Sequence, residues 1–194
     1  MGTAQGGRGP LNSDLQDVLG QLTRVTEDAQ KLCSGLSDQQ FNWRQAGRWS
    51  ISECLEHLNL ADANDATSLK AVIEDATRRG LRSAGPFRYG KVSTWFVGSV
   101  EPPAKHKVKA VQSLVPQPNL VVRDVLPKFL EIHERLARVI EQANGIDLVK
   151  VKVPGPVGPF KLPLGQKFRL IAGHDRRHLY QAWEVRKDPA FPRS

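Results

Sequence analysis

Cysteine is scarce in this chain. Among 194 residues there are two, Cys33 and Cys54. Neither has a CxxC partner, so a disulfide framework is excluded and a reducing cytoplasm suits the chain best. Long apolar runs are also missing. No stretch approaches the ~18 residues that a membrane span requires. Residues Met1–Pro10 carry no apolar core of the kind found in a signal peptide. There is no arginine-rich tract and no DNA-reading motif. The net charge of +8 is spread over scattered Lys and Arg residues. It reads as a solvated basic surface, which argues against nucleic acid, a membrane surface or an acidic substrate as partner. The glycines of Pro154–Phe160 form no phosphate loop, because no GK[ST] follows them. Alternating strand-like patterning is confined to Ile146–Val153.

What remains is helical periodicity. With 40% hydrophobic and 25% charged residues, the chain has an ordinary globular composition, and its length suits one domain with its own core. Apolar residues at three- and four-residue steps predict four long helices. The first spans about Leu11–Ser34 with Asn12 or Ser13 as cap, and Gly35 stops it. The second starts at the capping box Ser50-Ile51-Ser52-Glu53 and runs to about Arg78, with Trp49 as a staple. The third covers about Leu120–Ala143 and starts or kinks at Pro127. The fourth begins near Leu164. Between the first two, Phe41, Trp43 and Trp49 are expected to plug one end of the bundle from a loop, with pocket lining as the lesser reading. Residues Gly80–Asn119 are broken by Gly and Pro and read as a crossover with a short helix around Lys91–Gly98. Its basic stretch, with Lys105, His106, Lys107 and Lys109, reads as an exposed loop. The expected organisation is a disordered lead-in over 1–10, one all-α four-helix bundle over 11–186, and a frayed tail over 187–194.

The chemistry-bearing residues are histidines. His174 and His178 are four apart in the fourth helix, so one turn stacks them on one side. Such a pair can hold a divalent metal, although two unrelated histidines would show the same spacing. A third ligand must come from elsewhere, and His57 on the second helix is the strong candidate. By itself His57 also fits a core-margin residue bonded to a backbone carbonyl. His133 reads as a satisfied core histidine more readily than as an extra ligand. Asp175, on the stripe of His178, is the best-placed carboxylate to act as a base, to orient a ligand, or to pair with Arg176 or Arg177; Glu53 and Asp62 are further candidates. Cys54, on a buried stripe, is a poor nucleophile.

Two motifs together, Trp49-Ser50-Ile51-Ser52-Glu53-Cys54-Leu55-Glu56-His57-Leu58 and Gly173-His174-Asp175-Arg176-Arg177-His178-Leu179, resemble the DinB/YfiT-like (DinB_2) superfamily of bacterial four-helix bundles. The resemblance extends from about Leu11 to Arg186. It implies an up-down-down-up bundle with a long crossover between the second and third helices, and a three-histidine metal site at His57, His174 and His178. Three neutral imidazoles with an open position suit zinc or nickel. Related families include enzymes that use mycothiol or bacillithiol, such as maleylpyruvate isomerase and S-transferases. The resemblance therefore implies a metal-dependent enzyme acting on a small molecule, either an S-transferase with a low-molecular-weight thiol cosubstrate or a hydrolase. A homodimer is implied by resemblance alone. Two alternatives stay open: a non-catalytic metal-binding or stress-related bundle, and a basic protein binding anions or nucleic acid.

Overall fold

Four amphipathic helices form the frame. A computed structural model describes residues 10–103, 110–156 and 159–193. Most of the lead-in and the basic stretch with Lys105, His106, Lys107 and Lys109 lie outside the described residues. Helix α1 spans Ser13–Cys33, with the Asn12 side chain accepting from the Asp14 N–H at 2.8 Å. Gly35 follows with φ +71 and ends it. Helix α3 spans Ile51–Arg78 behind a complete capping box. Helix α5 spans Val122–Gln142, and α6 spans Leu164–Arg186. Helix α5 does not start at Pro127. Pro127 lies inside it, near enough to the N-terminus that its missing N–H forfeits one early backbone bond.

The shorter elements depart more from expectation. The segment read as a loop before α3 contains helix α2, Asp38–Asn42. Its cap is reciprocal: Ser37 accepts from the Gln40 N–H, and Gln40 accepts from the Ser37 N–H. Phe41 on this helix is fully buried. The crossover carries α4, Lys91–Gly98, and a single 3-10 turn at Gln112–Leu114. The alternating stretch contributes strand β1, Lys152–Pro154, which pairs antiparallel with β2, Lys161–Pro163, in the register Val153↔Leu162. The described part of the tail packs against the bundle. Phe191 is buried with its ring 5.5 Å from and edge-on to Trp43, and Gln40 donates to the Pro192 carbonyl at 2.8 Å. A buried aromatic holds the segment that two prolines keep from being helical.

Helices α1 and α3 each pack against both α5 and α6. The core is divided into two apolar layers. One contains Leu15 and Leu22 of α1, Leu69 and Ile73 of α3, Leu136 and Ile140 of α5, and Phe168 of α6. The other contains Leu32 of α1, Leu55 and Leu58 of α3, Phe129 of α5, and Leu179 of α6. The order of these layers along each helix means that α1 and α6 run one way and α3 and α5 the other. Between the layers lies a polar waist. Asp62 falls between Leu58 and Ala66, His133 between Phe129 and Leu136, and Asp175 between Ala172 and Leu179. Among the described residues, no helix is long and apolar enough to cross a membrane.

Candidate metal centre

The start of α3 positions the first ligand. Ser50 Oγ accepts from the Glu53 N–H at 3.2 Å, and Glu53 Oε2 accepts from the Ser50 N–H at 2.8 Å. The other carboxylate oxygen of Glu53 pairs with Arg44 at 2.6 Å. Glu53 is thereby committed to the cap and not to chemistry. One further turn along, His57 is buried, and its Nδ1 lies 2.8 Å from the Leu114 carbonyl of the 3-10 turn. A carbonyl only accepts, so Nδ1 carries the proton and Nε2 presents a lone pair. The crossover that the sequence presents as a connection thus fixes the tautomer of a site residue.

That lone pair faces α6. His57 Nε2 is 3.3 Å from His174 Nε2. The ring of His178 lies 4.6 Å, centroid to centroid, from both other rings. One ligand atom from each of the three histidines lies within 4.8 Å of the other two. A tetrahedral ion with nitrogen bonds of about 2.0–2.1 Å needs ligand atoms about 3.3–3.4 Å apart, so the His57–His174 separation already matches one edge. His178 Nδ1 is buried with no hydrogen-bond partner of normal geometry, although Gln181 one turn on favours its charged form. The donor set, its spacing and this orphaned atom all fit a divalent metal.

Electrostatics keep the three rings neutral and able to donate. Burial pushes His174 down to about 4, with the Asp175 charge opposing and His57 adding to the shift. Burial, then the neighbouring His174 and His57, hold His178 well below its ordinary value. Burial also lowers His57, against the bond to Leu114. His174 is partly buried, more open than the other two.

Trp49 is the site residue that reading the sequence as packing missed. Its ring lies 4.9 Å from His57 and 5.7 Å from His178. Its place just before the Ser50 cap is the signal that puts it beside the first turns of α3. Trp43, by contrast, packs on Phe191.

Asp175 is not turned to the three histidines. It neighbours His174 on the helix, so its side chain leaves about 100° around the axis. Its Oδ2 lies 3.2 Å from His133 Nε2. Asp62 joins the same buried group. Burial, then the Asp175 charge, raise the Asp62 carboxyl well above its usual range. His133 is buried in the core, its Nδ1 bonded to the Phe129 carbonyl at 2.9 Å. Arg176 forms a two-pronged ion pair with Glu101 and donates to Gln21 at 2.8 Å. Gly173 leaves room for this clasp, since a Cβ there would come 3.0 Å from Glu101 Oε1. Cys54 is fully buried, and burial then Glu53 push its thiol far up, so it offers no thiolate. An open groove between α2 and the entry to α5, lined by Asp38, Trp43, Arg44 and Leu120 among others, shares no residue with either histidine group.

The comparison with known families meets this geometry. The DinB superfamily profile matches residues 21–182, most of the chain. The chain belongs to the DinB superfamily. Among curated proteins it is similar to Uncharacterized protein YuaE of Bacillus subtilis (strain 168), with 28% identity over 155 residues, 79% of this chain and 87% of the relative. No solved structure matches the chain significantly. Membership and the three-histidine group together fit a metal-dependent function.

Proposed function

We propose that this DinB-superfamily protein is a metal-dependent enzyme in which His57, His174 and His178 hold one zinc or nickel ion. The observation that carries the reading is the pair of facing Nε2 atoms of His57 and His174 at 3.3 Å, with the His57 lone pair directed inward by Leu114. A metal bound by three neutral imidazoles lowers the pKa of a coordinated water or thiol. The chain supplies the rest. Leu114 holds the ring of His57. Trp49 covers His57 and His178 and keeps water from that side. The more open His174 side admits a small molecule. The reaction class that suits this arrangement is transfer from or to a low-molecular-weight thiol, with hydrolysis as the second arm. Glu53 is held in the cap and Asp175 in the polar waist, so neither is assigned as a base. Two buried free cysteines suit a reducing compartment, and we place the enzyme in the cytoplasm.

The test is turnover by protein loaded with zinc or nickel. Thiol conjugation of electrophilic substrates with mycothiol, bacillithiol or glutathione forms one panel, and hydrolysis of small esters and amides the other. The expected result is activity in one panel that His57→Ala reduces at least a hundredfold. Metal bound at full stoichiometry with no turnover in either panel would overturn the enzyme and assign a non-catalytic metal-binding bundle.

A further inference from the structure

The polar waist contains a second group of metal-type donors that the triad does not use. Asp62, His133 and Asp175 are each at least 98% buried, and one ligand atom from each lies within 4.8 Å of the others. They come from α3, α5 and α6. His133 repeats the device seen at His57: its Nδ1 bonds a backbone carbonyl, that of Phe129, at 2.9 Å. In the neutral ring, Nε2 therefore presents a lone pair. It points at carboxylate oxygens, Asp175 Oδ2 at 3.2 Å and Asp62 Oδ2 at 3.8 Å. With that ring neutral and both carboxyls ionised, acceptors would face acceptors. Both oxygens of Asp62 and Oδ1 of Asp175 are buried with no hydrogen-bond partner. A proton shared between the two carboxyls would satisfy at most two of these three oxygens. It would still leave an oxygen desolvated and unpaired, which is unfavourable in an apolar surrounding.

We propose that Asp62, His133 and Asp175 form a second divalent-cation site, buried in the waist of the bundle and separate from the three-histidine centre. A divalent ion matches the charge of two carboxylates, accepts the His133 lone pair and satisfies the orphaned oxygens together. The observed separations of 3.2 and 3.8 Å bracket the edge of about 3.4 Å for a tetrahedral ion with bonds near 2.1 Å. Two carboxylates and one imidazole are a harder donor set than three imidazoles, so manganese, ferrous iron or zinc suits this site. The triad bridges α3 and α6 alone. The second ion would also tie in α5, and its role is to clamp the two apolar layers. Because the site is fully enclosed, it loads as the chain folds.

The test uses tag-free full-length protein, unfolded in guanidinium with chelator, refolded with manganese(II) or zinc(II) chloride, desalted, and counted by elemental mass spectrometry. The expected result is two ions per chain in the wild type, one in His174→Ala/His178→Ala, and one in Asp62→Asn. X-ray absorption at the edge of the ion retained in the histidine variant should show one imidazole and at least two carboxylate oxygens. That spectrum decides the matter even if Asp62→Asn fails to fold. No ion in the histidine variant, or a retained ion with a different donor set, overturns the second site. One ion in the wild type that the histidine variant loses would sustain the triad and remove this proposal. One ion that the variant keeps would do the reverse.

Discussion

The indole of Trp49 stacks on the imidazole of His178, with centroids 5.7 Å apart and ring planes 25° from parallel. The residue that precedes the cap of α3 therefore also covers a histidine of α6. Such aromatic pairs contribute about 0.5–1.5 kcal/mol beyond their buried area. Its consequence is spectroscopic. Nickel(II) held by the triad would be bound by the two histidine rings that this indole covers and would quench its emission. Titration of metal-free protein with nickel should lower tryptophan fluorescence at one equivalent, and Trp49→Phe should remove most of that change while leaving nickel bound. Equal quenching in the variant would place the metal elsewhere.

The capping box links the stability of α3 to the site. Ser50→Ala removes the acceptor for the Glu53 N–H and leaves the Glu53 side chain without its hydroxyl partner. A loss of about 1 kcal/mol, within the usual range for such caps, is expected in urea unfolding. Metal affinity should fall as well, because His57 follows one turn later. Ser68→Ala, on the exposed part of the same helix, should change neither.

Much of this organisation was legible in the sequence for a physical reason. Helices with full caps and long apolar stripes declare themselves: the Ser50 box, Gly35 after α1, and the last turn at Arg78 all appear where the residue pattern places them. The histidine pair was legible because a four-residue step is a local property of a helix, and His57 because it shares the apolar margin of α3. What could not be read was where a side chain turns when two faces are available. Asp175 shares a stripe with His178, yet its carboxylate goes to His133 on another helix. Helix α2 is hard to read although Ser37 and Gln40 carry its cap, because five residues are too few to show a helical period. The tail looked frayed because its prolines mark the end of a helix, while the docking of Phe191 on Trp43 depends on a partner nearly the whole chain away.

Acid should destabilise the metal-free protein in a defined window. His174 is depressed to about 4, and His178 and His57 are also lowered. The unfolded chain takes up these protons near 6.5, and the folded chain only at lower pH. The unfolded state therefore binds more protons between these values, and stability rises with pH across the window. Urea midpoints of the metal-free protein should be level above about 6.5 and decline as pH falls toward about 4. The decline should be shallower in His174→Ala/His178→Ala. An identical slope in that variant would assign the acid sensitivity to other groups.

The tail contributes to the fold despite its composition. Phe191→Ala would empty a buried position between α2 and the end of α6. A loss of about 3 kcal/mol, the lower end for buried phenylalanine, is expected in chemical unfolding. A loss under about 0.5 kcal/mol, as for a surface substitution, would show that the segment is not docked in solution.

The central claim is that His57, His174 and His178 share one ion. The most direct measurement is zinc and nickel affinity of tag-free, chelator-stripped protein by isothermal titration, alongside His57→Ala and His174→Ala. The expected result is one tight equivalent per chain in the wild type, weakened at least a hundredfold by either substitution although they lie on different helices. Binding that survives both substitutions undiminished, or a wild type that takes up neither metal, would contradict the account.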